Sequence, residues 1–249
     1  MDQVLLAAGG AWPLAWCLGV VFVAYALRGA TGFGAGVVSI PLLLLALPLP
    51  VVIPLVTALG MLASFGQALH QRRHVHWIGL RRLLVPTLVG VGVGLWLFAA
   101  VDPQHLLRAL ALFIIGYALS GYLPRRTTAA APRWLAPLAG TVGGFVATVF
   151  GGMAGPFYVV YLRSLALDKA RFRATVSVAL LGLSVLRASG YAGLGLYDER
   201  VLWLLAAAVA VVALAMFAGD RWHARLDEAR FGHVVAALLA LSGAALLFK

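Results

Sequence analysis

Arg28-Gly29-Ala30-Thr31-Gly32-Phe33-Gly34-Ala35-Gly36 is the stretch on which the reading of this chain turns, and Phe150-Gly151-Gly152-Met153-Ala154-Gly155-Pro156 echoes it. Each lies within a long apolar run. Closely spaced glycines and small residues free the backbone from an ordinary helix and leave peptide N–H groups pointing into space. At membrane depth such backbone is expected to survive only where it lines a cavity. The two stretches therefore predict two helix breaks inside a membrane-embedded chain.

Composition supplies the membrane. The 249 residues are 63% hydrophobic and only 11% charged, with a mean hydropathy of +1.00. That is more apolar surface than a water-soluble fold can bury. The net charge of +11, from 19 Lys and Arg against 8 Asp and Glu, would suggest nucleic acid as partner of a soluble domain. Here the positives lie between hydrophobic runs, so they report membrane orientation and no nucleic-acid partner is expected. Cys17, the single cysteine, excludes an intrachain disulfide and reads as a small buried hydrophobe. No Lys or Arg precedes the run from Trp12, so the first helix is expected to be retained rather than cleaved as a signal peptide.

The expected segments run outward from the breaks. Trp12 to Leu27, about 24 Å long at 1.5 Å per residue, ends at the first break. Val37 to Leu47 is too short to cross alone. Pro48 to Pro50 turns the chain into a full span, Val51 to His70. A polar loop at 70–76 precedes spans at Leu83–Ala100 and His105–Tyr122, joined by the short turn at Asp102-Pro103. The second half repeats the plan with Trp134–Val149, the second break, Phe157–Leu165, and spans near Phe172–Ala192, Val201–Ala218 and Gly232–Phe248.

By subtraction, Phe33-Gly34 lies 117 positions before Phe150-Gly151, and Thr57 lies 118 before Thr175. Ala118-Leu119-Ser120-Gly121 returns as Ala240-Leu241-Ser242-Gly243, with a small insertion near Asp227-Glu228. This reads as an internal duplication: repeat 1 over 1–123, a basic linker over 124–133, and repeat 2 over 134–249. Fourteen of the nineteen positives fall in four stretches: Arg72, Arg73, Arg81 and Arg82; Arg125, Arg126 and Arg133; Arg163, Lys169, Arg171 and Arg173; and Arg221, Arg225 and Arg230. Placing all four in the cytoplasm puts matched loops of the two halves on opposite sides and both termini outside. The fold class expected is thus an all-α integral membrane protein of two inverted-topology repeats, with about 8 to 10 hydrophobic segments and a glycine-broken short or re-entrant pair in each repeat.

Inverted repeats joined at broken segments are an architecture of secondary transporters. The short pieces that follow Gly36 and begin at Pro156 would present free N–H groups and the positive end of a helix dipole, which suits an anion. Gly32, Gly34, Gly36, Gly151, Gly152 and Gly155, with Thr31, are the backbone candidates. The competing reading is close helix packing, which is assigned to Gly90, Gly92 and Gly94. Arg28 is either an anion ligand or an inner-interface cation. Arg187, about 22 Å along its helix from Phe172, is either a ligand or a snorkelling side chain. Ser184 and Ser189 lie near it, and Thr57, Ser64 and Gln67 occupy the matching span, so a polar lumen lined from both repeats is expected, with Thr175 among its polar groups.

All eight acids fall in termini or loops, so no carboxylate is available within the membrane to relay protons or hold a cation. His70, His74 and His76 have near-helical spacing but sit beside Arg72 and Arg73, which would repel a metal ion. A solvated basic loop is the simpler reading. Nothing in the sequence supports proton coupling through His70, and no metal or cofactor is expected.

These glycine motifs, the apolar piece containing Pro41, the length and the basic central linker resemble the TauE/SafE sulfite exporter family of bacterial membrane proteins. The likeness covers nearly the whole chain. It departs from the usual glycine run in having Gly34-Ala35-Gly36 first and Gly151-Gly152-Met153-Ala154-Gly155 second. The resemblance implies a multi-pass protein of the bacterial inner membrane that exports sulfite, a sulfonate or a related anion. The expected mechanism is alternating access at a site between the two breaks. A passive anion channel is the alternative; a membrane-embedded enzyme is disfavoured, because no nucleophile, base and metal set is present. Apart from the small anion and the lipid bilayer, the partner left open is a second copy of the chain.

Overall fold

In the computed structural model the described residues are 2–32, 34–71, 74–120, 132, 134–151, 155–222 and 245. They form ten helices and no strand: α1 (Asp2–Ala8), α2 (Ala11–Thr31), α3 (Ala35–Leu44), α4 (Leu49–Gln71), α5 (Trp77–Ala100), α6 (Pro103–Ser120), α7 (Leu135–Phe150), α8 (Gly155–Ser164), α9 (Lys169–Gly193) and α10 (Glu199–Trp222). Phe33, the linker apart from residue 132, Gly152, Met153, Ala154 and the expected last span at 232–248 apart from residue 245 lie outside the described residues. So do Arg72, Arg73, Arg125, Arg126, Arg133, Arg225 and Arg230, the Asp227-Glu228 insertion and the echo at 240–243.

Among the described residues five helices are long and apolar enough to cross a membrane: Ala11–Ala30, Leu49–Leu69, Trp77–Ala100, Lys169–Gly193 and Glu199–Arg221. By contrast α3 and α8 have 10 residues each, about 15 Å at 1.5 Å per residue, roughly half of a hydrocarbon core. The order of a longer helix, a 10-residue helix and two long helices occurs twice: 21, 10, 23 and 24 residues for α2–α5, then 16, 10, 25 and 24 for α7–α10.

Local chemistry starts most of the spans. The Asp168 carboxylate accepts the Arg171 N–H at 2.9 Å and opens α9, and the Asp198 carboxylate accepts the Val201 N–H at 2.8 Å and opens α10. Asp102 accepts the Gln104 N–H at 2.7 Å, and Pro103 follows as the first helical residue of α6. His76 Nδ1 accepts the Gly79 N–H at 3.1 Å and caps α5.

Several boundaries differ from those read off the sequence. The first span does not stop at Leu27: it runs to Thr31, so Arg28, Gly29 and Ala30 are helical. Among the described residues of the first glycine cluster, Gly32 (φ 87°) and Gly34 (φ 96°) have left-handed backbone angles, while Gly36 lies within α3. Arg81 and Arg82 sit in the first turns of α5, and Lys169, Arg171 and Arg173 in those of α9, rather than in loops. Asp220 and Arg221 likewise belong to the end of α10. Polar residues at helix ends extend the helix beyond its apolar part, which hydropathy alone does not register.

The helices gather into two compact units. One contains α1, α2, α3, the start of α4, α6 and α10; the other contains the rest of α4 from Thr57, α5, α7, α8 and α9. Each unit draws on both expected repeats. In the first, α2 packs along α10, and a Cβ at Gly29 would stand 2.6 Å from the Met216 carbonyl oxygen. Gly29 is therefore a packing glycine rather than part of the break. In the second, α5 packs along α7. A Cβ on Gly140 would meet Pro86 Cβ at 2.7 Å, one on Gly144 the Thr87 carbonyl oxygen at 2.8 Å, and one on Gly94 the Thr148 Cβ at 2.8 Å. Gly90 presses equally closely on Thr141, whereas Gly92 faces open space. Small residues every fourth position let the two backbones touch, the usual solution where lipid removes the hydrophobic drive between helices. The other face of α5, with Val85, Val89, Val93 and Trp96, is exposed and apolar, as a lipid-facing surface requires.

Candidate functional site

Within the second unit the site is built on the end of α7. Close approach of α5 and α7 at Gly94 and Thr148 leaves room for α9 to lie over both, with Gly190 pressed against Leu95. Four residues apart on α9, Arg187 and Tyr191 share a helix face and are 2% and 0% exposed. The Arg187 Nη2 donates to the Tyr191 hydroxyl at 3.4 Å, and its guanidinium carbon lies 5.7 Å from the centroid of the Tyr191 ring. The Tyr191 hydroxyl in turn donates to the carbonyl of Thr148, in the last turn of α7. Its ring packs on Phe98 of α5, with centroids 5.5 Å apart and planes tilted by 52°. The Thr148 hydroxyl turns back to the Gly144 carbonyl at 2.7 Å.

Electrostatically this arrangement is incomplete. Arg187 Nε is buried and makes no hydrogen bond. Among the described residues the single ion pair is Arg171 with Asp168, at the exposed start of α9. The partners of Arg187 are thus a phenol oxygen, a ring face and, through Tyr191, the negative end of the α7 dipole. None carries a full negative charge, and an arginine desolvated without one is costly. Snorkelling, the alternative weighed for Arg187, does not occur: its side chain is enclosed by protein.

Immediately beyond Thr148, α7 ends at Gly151 (φ 75°, ψ 60°), whose N–H caps the Ala147 carbonyl. The next described residue is Gly155, buried at the start of α8. Tyr158 on α8 bonds Thr87 of α5 at 2.8 Å and is buried, and a Cβ at Gly143 would stand 2.8 Å from its ring. The second unit therefore links Arg187, through Tyr191, to Thr148 in the last turn of α7, three positions before Gly151.

The remaining candidates are placed as follows. Thr57, Ser64 and Ser184 are buried, Gln67 half-buried with its Oε1 making no hydrogen bond, and Ser189 exposed. The Thr175 hydroxyl accepts the His76 N–H at 2.9 Å and donates to the Arg171 carbonyl at 2.7 Å, tying the starts of α5 and α9 together. In the first unit Arg28 is buried in the last turn of α2, and its carbonyl accepts the Gly32 N–H at 2.7 Å. A Cβ on Gly32 or Gly34 would meet nothing within 4 Å, so these glycines are demanded by backbone angle and not by crowding. Of Thr31 only the helical backbone is described, and Gly36 is half-buried in α3. Among the described residues no three His, Cys, Asp or Glu cluster as metal ligands.

Sequence reasoning missed Thr148 and Tyr191, although the spacing of Arg187 and Tyr191 was visible. Helices α4 and α9 start 120 positions apart, as do α3 and α8, whereas α5 and α10 start 122 apart, by subtraction of their first residues. The Ser177 hydroxyl donates to the Arg173 carbonyl.

Apolar spans, two 10-residue helices, left-handed glycines at the ends of α2 and α7 and at the start of α3, and a buried arginine lacking an acidic partner among the described residues define an integral membrane protein with a charged interior. The sequence assigns the family: residues 17–246 match the family described as Sulfite exporter TauE/SafE, and the chain belongs to it. Membership makes it a membrane transporter of the class that handles sulfite and related anions. No curated protein and no solved structure matches the chain.

Proposed function

We propose that this chain is a secondary transporter that moves sulfite or an organosulfonate across the bacterial inner membrane by alternating access, with Arg187 supplying the charge that holds the anion. One observation carries the reading: Arg187 is 2% exposed, its Nε makes no hydrogen bond, and no described acid pairs with it. A guanidinium in that state is completed by an anion with two oxygens on one atom, which a sulfite or sulfonate provides.

The two-fold recurrence of helix order supports inverted repeats over 1–123 and 134–249. So does the way α2 pairs with α10 while α7 pairs with α5, since each pair joins the first long helix of one repeat to the last matched helix of the other. The left-handed glycines 32, 34 and 151 support the breaks as hinges, and the first turns of α3 and α8 offer N–H groups to an anion. Arg28, Thr31, Gly36, Thr57, Gln67, Gly152, Gly155, Thr175 and Ser184 remain proposed ligands or lining groups, with both termini periplasmic.

Flux in proteoliposomes tests the proposal. Sulfite, methanesulfonate, chloride and acetate are offered in turn, and saturable uptake with accelerated exchange against internal sulfite is expected for the sulfur oxyanions. Non-saturating flux without counterflow would indicate a channel, and sulfite uptake undiminished in Arg187→Gln would remove Arg187 from the site.

A further inference from the structure

Tyr191 does more than fill space. Its hydroxyl receives a hydrogen bond from Arg187 Nη2 and gives one to the Thr148 carbonyl. Both roles of the oxygen are therefore used, and the donor role is directed to α7. Thr148 lies three positions before Gly151, where the helix ends with a left-handed residue. The hydroxyl thus connects the charged group on one helix to the last turn of another.

The ring enforces that connection. It is fully buried, packed on Phe98, and has the guanidinium carbon 5.7 Å from its centroid. An arginine side chain has four flexible torsions and would lose rotamer entropy on being ordered around an anion. Held by Tyr191, it meets the anion with one nitrogen already fixed and with Nε unused. Preorganisation of this kind raises affinity without adding a ligand contact.

We infer that Tyr191 is a positioning residue for the anion site. It holds the Arg187 guanidinium with Nε presented to the substrate, and it ties that guanidinium to the Thr148 turn, so that the anion-binding charge and the end of α7 at Gly151 move together. This inference rests on the proposal that Arg187 binds the anion.

The test is a double-mutant cycle on full-length protein in nanodiscs, with sodium sulfite as the probe and binding followed by calorimetry. Tyr191→Phe keeps the ring and removes both hydrogen bonds; about tenfold weaker sulfite binding is expected. Arg187→Gln is expected to weaken binding tenfold to a hundredfold. Because Tyr191 acts through Arg187, adding Tyr191→Phe to Arg187→Gln should cause no further loss, whereas independent effects would multiply. Phe98→Leu removes the packed ring but neither hydrogen bond, and should lower thermal stability while leaving affinity within twofold. Affinity in Tyr191→Phe equal to that of the parent, or a tenfold loss repeated in the Arg187→Gln background, would overturn the positioning role alone. Phe98→Leu binding as weakly as Tyr191→Phe would overturn it too, by assigning the effect to packing. Unchanged affinity in Arg187→Gln would overturn both the role and the site.

Discussion

Replacing Arg187 by methionine keeps most of the stem and removes the charge, and two effects of opposite sign follow. Without anion, the parent protein carries a buried guanidinium that is 2% exposed, has an unbonded Nε and has one long hydrogen bond, 3.4 Å, to Tyr191. Removing an uncompensated buried charge relieves a penalty of several kcal/mol, against which the variant loses a hydrogen bond worth about 1 kcal/mol and a cation–π contact of similar size. The ligand-free variant should therefore be more stable, by about 1 kcal/mol, or about 2–4 °C for a chain of this length. With anion the order reverses. At a concentration one hundred times the parent dissociation constant, ligand binding stabilises the parent by about 2.7 kcal/mol. A tenfold to hundredfold weaker variant retains only about 0.4–1.4 kcal/mol of that stabilisation at the same concentration. Differential scanning fluorimetry of both proteins in detergent, with and without sulfite, reads both effects. A variant that is less stable without sulfite and equally stabilised by it would refute the reasoning, because Arg187 would then be a structural contact and not a waiting ligand.

Three further outcomes are expected. Gly34→Val and Gly151→Val place β-branched side chains at φ 96° and 75°, where L-residues are strained by about 1–2 kcal/mol; sulfite flux should collapse while membrane insertion persists, and normal flux in both would show that the left-handed residues serve no hinge. Asp168 is held below its usual carboxylate range by the Arg171 backbone N–H and, more weakly, by the Arg171 charge. A depressed folded-state value means that its contribution is complete above the unfolded-state value and fades as pH falls through the folded one, so the melting-temperature gap between the parent and Asp168→Ala should be constant near neutrality and close below about pH 4; a gap undiminished at pH 3 would contradict this cap. Because Cys17 is buried, cysteines placed singly at the exposed positions Gln104, Asp198 and Lys169 can be labelled cleanly, with the first two expected to react from the periplasm and the third from the cytoplasm. Labelling of Asp198 and Lys169 from the same side would contradict the inverted topology.

The sequence by itself determined what depends on local chemistry and bulk composition. Hydropathy located the five long apolar helices of the described residues, because 20 or so apolar residues have no other stable environment. Gly32, Gly34 and Gly151 take left-handed backbone angles inside the two glycine clusters, since such an angle is a property of the residue that adopts it. Asp102 before Pro103 announced the start of α6 in the same local way. Tertiary structure alone decided which glycines pack and which turn the chain. Gly29 belongs to the first cluster yet serves the contact with α10, and Gly90 and Gly94 meet α7 while Gly92 between them meets nothing. It also decided that Arg187 is enclosed rather than snorkelling, and that Tyr191 joins it to Thr148. The reason is physical. In a soluble protein the buried face of a helix is written as a contrast between apolar and polar residues, but in lipid the outward face of α5 is as apolar as its inward one. Helix rotation and partner choice then rest on small differences in side-chain volume and on single hydrogen bonds between residues 43 positions apart, such as Tyr191 and Thr148, and these take effect only when the helices meet.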